Sequence, residues 1–346
     1  MPTFVQIMML EMENIVELKA LLQTPKDIVI TTHRNPDGDA IGSSLALQHF
    51  LAHSGHHIKV IIPSPYPDGM EWMPEIDRML IHDEHPDAVK QVIEQAEIIF
   101  CLDFNSLDRI DKTGELVHFR DVPKVLIDHH LDPEPFADFV LSDTTASSTS
   151  ELIFDFIHLL GMERFLDERV ASCIYTGIIT DTGSFRYATS AKLFRTVARL
   201  LEIGVNDVVL QDLINNNLKE KHLRLLGYCL FHRMEVLDEF KTAIITLSKE
   251  DYAKFDIQRG DTEGIVNYML RMPKVKVAAF ITEQPTIVKL SFRSKGNISV
   301  QEMAAQHFKG GGHRNASGGS SYIGLRPTVR KFKELLPQYM DQINLE

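Results

Sequence analysis

Two stretches rich in Asp and His, each directly after an apolar β-type run, constrain this chain more than any other feature. His33-Arg34-Asn35-Pro36-Asp37-Gly38-Asp39 follows the run at 28–32, and Asp128-His129-His130 follows the run at 125–127. Because the carboxyl ends of parallel strands face a common crevice, segments far apart in the chain can pool their side chains there. Asp and His donors without Cys suit a hard divalent metal that prefers oxygen ligands. The pattern predicts hydrolysis by a pair of metal ions.

Strands and helices alternate through the first half of the sequence. The predicted strands lie at 27–32, 57–62, 97–102 and 124–127, and the predicted helices at about 40–54, 148–160 and 167–180. Ser148-Thr149-Ser150-Glu151 has the spacing of a capping box and is interpreted as a helix start rather than as a source of a nucleophile. The alternation predicts an α/β fold with a mostly parallel sheet covered by helices on both faces.

The second half has a different organisation. A long helical stretch at about 206–234 precedes predicted strands near 243–247, 275–281 and 287–292, with helices near 262–271, 299–307 and 327–343. A length of 346 residues favours about two domains. We therefore predict a catalytic domain at 1–186, a helical connector at 187–230 and a smaller α/β domain at 231–346.

Composition narrows the range of partners. The formal net charge is −12, whereas a protein that holds long nucleic acid through its phosphates usually has a basic excess. A short phosphorylated substrate bound in a local cationic pocket fits this charge better. The sequence has no apolar run of ~18 residues and no basic leader, so we expect no membrane binding. The three cysteines lack CxxC spacing, which favours buried reduced thiols and a cytoplasmic location.

Further acids lie at the ends of predicted elements. Asp103 follows the strand at 97–102, and Asp181 lies where an apolar helix runs into a glycine-containing turn. A single Asp near a turn is a capping residue at odds of roughly three to one. For five acids and three histidines, most of them at strand ends, independent capping is the weaker explanation. A structural zinc site is also disfavoured, because such sites are usually rich in cysteine.

These motifs resemble those of the DHH phosphoesterases. HxxPDGDxxGS at 33–43, the lone Asp103, Asp128-His129-His130, and Asp181 within TGxxTDTGSFRY match the four motifs of that family. The stretch Gly310-Gly311-Gly312-His313-Arg314-Asn315-Ala316-Ser317-Gly318 matches the GGGHxxAxG signature of the associated DHHA1 domain. The two-domain size resembles the NrnA-type oligoribonuclease and 3′-phosphoadenosine 5′-phosphate (pAp) phosphatase branch rather than the longer RecJ exonucleases.

The resemblance implies a metal centre with defined ligands. It implies two Mn²⁺ ions, for which Mg²⁺ or Co²⁺ would substitute, and a water activated between them. The implied ligands are His33, Asp37 and Asp103 for one ion, and Asp39, Asp103, His129 and Asp181 for the other. In the same scheme His130 would bond the scissile phosphate or protonate the leaving oxygen, and Asp128 would orient a neighbouring histidine.

The resemblance places substrate recognition on the second domain. Gly310, Gly311 and Gly312 would let the backbone approach an anion, and His313 follows them directly. Arg293 and Ser294, at the end of a predicted strand, would hold a terminal phosphate. Arg109 would reach a substrate phosphate, with a surface ion pair as an equal alternative.

The resemblance thus implies a hydrolase of short single-stranded RNA and of pAp. Three alternatives stay open: a phosphodiesterase of cyclic or linear dinucleotides, a RecJ-like single-strand exonuclease, and a nucleotide-binding regulator without catalysis. Every ligand position expected for the family is filled by a suitable residue, which favours an enzyme. A homodimer is one assembly that the sequence allows.

Overall fold

A computed structural model of the chain describes residues 12–216, 218–258 and 260–344, with side chains from residue 15 onward. The chain divides into two units between residues 217 and 218. This division falls inside the predicted connector at 187–230: helices at 191–203 and 207–215 belong to the first unit, and a helix at 220–228 belongs to the second. The proposed domain limits of 1–186 and 231–346 stay predictions.

Six parallel strands form the sheet of the first unit. They are β1 (Asp27–Thr32), β2 (His57–Ile62), β3 (Leu80–Ile81), β4 (Ile98–Leu102), β5 (Lys124–Asp128) and β6 (Phe139–Ser142). Residues of β1, β4 and β5 are almost all buried, as parallel strands covered on both faces require. The predicted α/β fold with a mostly parallel sheet is confirmed.

The strand order β3-β2-β1-β4-β5-β6 changes direction between β1 and β4. In doubly wound sheets, for which this order is a standard example, such a switch point opens a crevice at the carboxyl ends of the two strands. His33 comes directly after β1 and Asp103 directly after β4. The topology therefore brings two distant motifs to one edge of the sheet.

Eight helices are described in the first unit. They are α1 (Met12–Leu21), α2 (Gly38–Ala52), α3 (Pro86–Gln95), α4 (Lys112–Phe119), α5 (Thr149–Leu159), α6 (Glu168–Asp181), α7 (Ala191–Ile203) and α8 (Asp207–Asn215). The start of α2 lies very close to the end of α6, since a Cβ on Gly38 would lie 2.7 Å from Thr180 Cβ. This contact fixes the start of α2 against the end of α6, where several of the candidate ligands lie.

The second unit contains a mixed six-stranded sheet in the order β11-β12-β10-β9-β8-β7, in which only β8 and β9 pair in parallel. Its strands are β7 (Met234–Leu237), β8 (Thr242–Leu247), β9 (Val277–Glu283), β10 (Val288–Ser294), β11 (Gly311–His313) and β12 (Ala316–Ser321). Its helices are α9 (Glu220–Tyr228), α10 (Lys249–Phe255), α11 (Ile265–Met269), α12 (Val300–His307), α13 (Leu325–Leu335) and α14 (Met340–Asn344).

The predicted helical stretch at about 206–234 consists of separate helical segments. Helix α8 ends at Asn215, α9 begins at Glu220, and a π-helical turn at Cys229–Arg233 leads into β7; residue 217, inside this range, lies outside the described residues. The predicted buried, unpaired state of Cys101, Cys173 and Cys229 is confirmed. No helix in the described ranges is both long and apolar enough to cross a membrane.

Candidate metal centre

Asp103 lies at the middle of the candidate site, and its two oxygens face different histidines. Its Oδ2 lies 3.4 Å from His33 Nε2, and its Oδ1 lies 3.5 Å from His129 Nε2. The residue is 2% exposed, and its backbone has a left-handed φ of 64°, which Asp adopts more readily than most residues. A carboxylate that presents one oxygen to each of two ligand groups has the arrangement of a bridging ligand.

Both histidines are oriented through their second ring nitrogen. His33 Nδ1 lies 3.0 Å from the carbonyl oxygen of Arg34, and His129 Nδ1 lies 3.4 Å from that of Ala146. Because a carbonyl oxygen only accepts, each Nδ1 carries a proton in these contacts. This arrangement aims each Nε2 at the carboxylates, which is how histidines that bind metal are usually held.

The start of α2 supplies two more carboxylates. Asp37 is the N-cap, and its Oδ1 accepts from the backbone N–H groups of Asp39 and Ala40 at 3.0 and 3.1 Å. Asp39, in the first turn, is 1% exposed. Asp181 is the last residue of α6, and its Oδ2 lies 3.5 Å from His129 Nε2. Asp37, Asp39 and Asp181 are therefore positioned by helix ends, whereas Asp103 is positioned by the end of a strand.

The start of α5 holds the ligand carboxylates in place. The backbone N–H groups of Thr149 and Ser150 donate to Asp39 Oδ2 and Oδ1 at 2.7 and 2.9 Å, and the Thr149 hydroxyl lies 3.0 Å from Asp103 Oδ1. Ser148 is the N-cap, as the capping-box reading predicted. Sequence reasoning missed the role of Thr149 and Ser150. The only signal was the polar run at 147–150, which is longer than a cap requires.

Two groups of side chains could each hold a cation. In each group one ligand atom per residue lies within 4.8 Å of the others: His33, Asp37 and Asp103 in one, and Asp39, His129 and Asp181 in the other. Both donor sets are carboxylate oxygen and imidazole nitrogen without thiolate, which suits Mn²⁺ or Mg²⁺. Buried like charges at this spacing repel one another unless a cation lies among them. The residues present therefore fit a pair of divalent metal ions.

Burial and the close spacing of these carboxylates shift the pKa values of three groups at the site, His33, His129 and Asp181, all upward. Burial lowers the pKa of His33, but the hydrogen bond and charge of Asp103, together with Asp37, raise it to about 9. The pKa of His129 is raised too: burial opposes the shift, and Asp103, Asp181 and Asp39 outweigh it. Burial and neighbouring carboxylates raise the pKa of Asp181 to about 7. Without metal, protons take the place of cations at this site.

Metal uptake is therefore expected to release protons. At pH 7 His33 is protonated in the metal-free protein and must lose that proton to bind metal, so rising pH favours binding. Apparent Mn²⁺ affinity should rise about tenfold per pH unit between pH 7 and 9 and level off above. The metal-free fold responds with the opposite sign: stabilisation that His33 gives below its ordinary pKa of 6.5 is lost as pH rises through about 9. Calorimetric titrations in buffers of different ionisation enthalpy measure the protons, and an affinity that is flat over this range would contradict the expectation.

Asp128 and His130 form a pair beside the two groups. Asp128 is fully buried, and its Oδ1 accepts a hydrogen bond from His130 Nδ1 at 2.7 Å. One ligand atom from each of Asp103, Asp128 and His130 also lies within 4.8 Å of the other two. The short hydrogen bond occupies the facing atoms, so an orienting pair fits this geometry better than a third cation site. Asp128 Oδ2 has no hydrogen-bond partner among the described residues.

Gly177 leaves the space that Asp39 occupies. A Cβ on Gly177 would lie 2.6 Å from Asp39 Oδ1 and closer still to Ser150 Oγ. We expect Gly177→Ala to lower the free energy of unfolding by about 1–3 kcal/mol, since overpacking forces neighbours to shift, and to weaken Mn²⁺ binding through the displaced carboxylate. The matched control is Gly227→Ala in α9, which meets no atom within 4 Å and should stabilise by up to about 1 kcal/mol. Equal denaturation midpoints for the two variants would contradict this reading.

The predicted substrate residues of the second unit lie along three neighbouring strands. Arg293 and Ser294 end β10, with Arg293 paired to Ala316 of β12. Gly310 precedes β11, and Gly311, Gly312 and His313 form it. Glycine is required at two of these positions, because a Cβ on Gly310 would lie 2.6 Å from the Gly319 Cα and a Cβ on Gly312, at φ 130°, would lie 2.7 Å from the carbonyl oxygen of Ala316, whereas a Cβ on Gly311 would meet no atom within 4 Å. In the first unit, Arg109 lies in the 3₁₀ turn at Leu107–Ile110, and its carbonyl accepts from the Arg34 N–H at 2.8 Å.

Comparison with known proteins agrees with this arrangement. Residues 27–178 match the DHH family, N-terminal domain, and residues 240–342 match the DHHA1 domain. A relative from Streptococcus mutans, named probable bifunctional oligoribonuclease and PAP phosphatase NrnA, is 30% identical over 297 residues, which cover 85% of this chain and 89% of the relative. The chain belongs to the DHH family.

Two further comparisons extend over nearly the whole DHH-family chain. The bifunctional oligoribonuclease and PAP phosphatase NrnA of Thermus thermophilus is 29% identical over 309 residues, covering 89% of this chain and 87% of the relative. The crystal structure of an exopolyphosphatase-related protein from Bacteroides fragilis has a TM-score of 0.92 and 38% identity, covering 96% of this chain and 98% of that one. The resemblance seen in the motifs is confirmed.

Proposed function

We propose that this chain is a metal-dependent phosphoesterase that hydrolyses short RNA oligonucleotides and pAp. The observation that carries the proposal is the position of Asp103, which presents one oxygen to each of two carboxylate and histidine groups. Both substrates are proposed from the relatives named NrnA, whose alignments cover 85% and 89% of this chain. We further propose that the native metals are two Mn²⁺ ions and that the protein is cytoplasmic. A homodimer is also proposed.

The residues of the site divide the work of hydrolysis. When bound, divalent ions would polarise the phosphoryl group and supply a strong nucleophile at neutral pH. His33, Asp37 and Asp103 would hold one ion, and Asp39, Asp103, His129 and Asp181 the other. His130, fixed by its 2.7 Å hydrogen bond to Asp128, would donate a hydrogen bond to the scissile phosphate or a proton to the leaving oxygen.

The activity assay separates this proposal from its alternatives. Purified protein with Mn²⁺ is supplied with a dinucleotide, pAp, a cyclic dinucleotide and a long RNA strand. We expect hydrolysis of the first two, with kcat/KM falling for long strands, because a net charge of −12 gives a long polyanion no electrostatic help. Equal rates on long and short strands would favour a RecJ-like exonuclease, and preference for the cyclic dinucleotide would favour a dinucleotide phosphodiesterase. Tight nucleotide binding without turnover in any metal would indicate a regulator.

Arg293 tests the proposed substrate pocket of the second unit. Its guanidinium would bind a terminal phosphate equally in the ground state and the transition state. Arg293→Ala is therefore expected to raise KM for a 5′-phosphorylated dinucleotide by about 10- to 100-fold while kcat changes little. Arg330→Ala, an exposed arginine of α13, is the matched control. A fall in kcat as large as the rise in KM would rule out this uniform-binding role.

A further inference from the structure

The loop at 182–190, called here the Asp181 loop, has an unusual backbone. Gly183, Ser184, Phe185 and Ala188 all have left-handed φ angles, between 49° and 63°. Non-glycine residues adopt this region only at a cost in free energy, and a bulky aromatic such as Phe185 is uncommon there. Such conformations persist only where the surroundings determine them, and they occur preferentially at ligand sites.

Specific contacts hold the Asp181 loop in this conformation. The carbonyl oxygen of Thr182 accepts from the N–H groups of Arg186 and Tyr187 at 2.8 and 3.0 Å, and its hydroxyl accepts from the Phe185 N–H at 3.0 Å. The Phe185 ring packs against Tyr175 and Phe194, with centroids 6.2 and 5.7 Å apart. The loop is therefore a built element directly after Asp181.

What this loop presents to solvent is a stacked cation. Arg186 and Tyr187 are both exposed, and the Arg186 Cζ lies 5.4 Å from the centroid of the Tyr187 ring. The ring also lies against the backbone two residues after Asp181, since a Cβ on Gly183 would be 3.0 Å from Tyr187 Cε2. Within the part of the chain that the structure describes, no carboxylate forms an ion pair with Arg186. A stacked guanidinium keeps its N–H edge available for the oxygens of an anion.

We propose that Arg186, positioned by Tyr187, is a phosphate-binding subsite of the first unit, and that its ligand is an internucleotide phosphate of a short oligonucleotide, other than the terminal phosphate assigned to Arg293 and the phosphoryl group at the metal centre. The inference rests on the proposed function. It explains why the chain maintains a strained loop beside Asp181, and why Arg186 in that loop has no carboxylate partner among the described residues. A guanidinium fork suits phosphate better than a lysine does, because it donates two parallel hydrogen bonds.

The test compares the kcat/KM values for two substrates, measured with Mn²⁺, and uses their ratio as the readout. Initial rates are compared for 5′-phosphorylated triadenylate, which has one internucleotide phosphate besides its terminal and scissile phosphates, and for 5′-phosphorylated diadenylate, which lacks that additional phosphate. Arg186→Gln is expected to lower the ratio of the two kcat/KM values by about 10- to 100-fold, mainly through KM of the trinucleotide. Arg186→Lys should recover only part of the ratio, and Tyr187→Phe, which keeps the ring, should recover nearly all of it. Arg195→Gln, which removes an exposed arginine of α7, is the charge-matched control and should leave the ratio unchanged.

The outcomes separate this proposal from the proposed function. A wild-type protein inactive on dinucleotide and pAp refutes the function itself, and the subsite with it. An active wild type whose ratio is unchanged in Arg186→Gln refutes the subsite alone. Equal losses on both substrates, or the same change in Arg195→Gln, also refute it, because they indicate a structural or a general electrostatic effect.

Discussion

Asp103→Asn is expected to abolish Mn²⁺-dependent hydrolysis while the fold survives. The substitution keeps the shape of the side chain, but it weakens the one group whose two oxygens face both His33 and His129. If losing a bridge between the ions removes several kcal/mol of transition-state stabilisation, turnover falls on the order of 10³-fold or more. Bound metal should fall from two ions per chain to one or fewer.

The control for Asp103→Asn is Asp108→Asn. Asp108 is an exposed carboxylate five residues further along the chain, so the two variants carry the same change in charge. We expect wild-type turnover and metal content for Asp108→Asn. In the metal-free protein, Asp103→Asn should lower the thermal midpoint: although burial raises the pKa of Asp103, the neighbouring histidines, chiefly His33, hold it below its usual range, and the variant loses that attraction. Near wild-type turnover of Asp103→Asn at saturating Mn²⁺ would refute the two-metal assignment.

The elements that carry these residues were predictable where one physical signal dominated. The buried strands β1, β4 and β5 have continuous apolar runs, and the acids at their ends are visible as the points where each run stops. The motif order then located the candidate ligands. Local chemistry also explains the limits of α7, where the Ser190 side chain caps the first turn and Gly204 adopts a φ of 125° at the end.

Other features depend on contacts that local sequence does not encode. Strand β12 reads ASGGSS and has no apolar alternation; pairing with β10 on one side and β11 on the other makes it a strand. The roles of Thr149 and Gly177 depend on Asp39, more than one hundred residues away in the chain. Within the helical stretch predicted at about 206–234, the end of α8 at Asn215 and the start of α9 at Glu220 were not predicted, because periodicity alone does not locate such breaks.

Helix α5, whose first N–H groups donate to Asp39, is bound to α7 by an ion triad of Lys192, Glu151 and Asp155. Removing the cation of this triad is expected to have the second large effect, a loss of stability. Lys192 Nζ, on α7, lies 2.6 Å from Asp155 Oδ2 and 3.3 Å from Glu151 Oε1, both on α5. The Glu151 and Asp155 side chains are only 2% and 8% exposed. Although burial lowers it, the pKa of Lys192 is raised by the charge of Asp155 and by Glu151, so the ammonium stays charged.

Lys192→Met should therefore lower the free energy of unfolding by about 3–5 kcal/mol, since it leaves two buried carboxylates without their cation. Burial already raises the pKa of Asp155, and Lys192 opposes that shift. Without Lys192 the folded-state pKa rises further, so the loss should be largest near pH 7 and shrink as falling pH protonates the carboxylates. Lys90→Met, which breaks an exposed pair with Glu94 at 3.9 Å, is the control and should cost no more than about 0.5 kcal/mol. Denaturant unfolding of both variants at pH 5 and pH 7 measures these free energies. Similar small decreases in the free energy of unfolding for the two variants would contradict a stabilising role of Lys192 for α5. So would a decrease for Lys192→Met that grows on acidification.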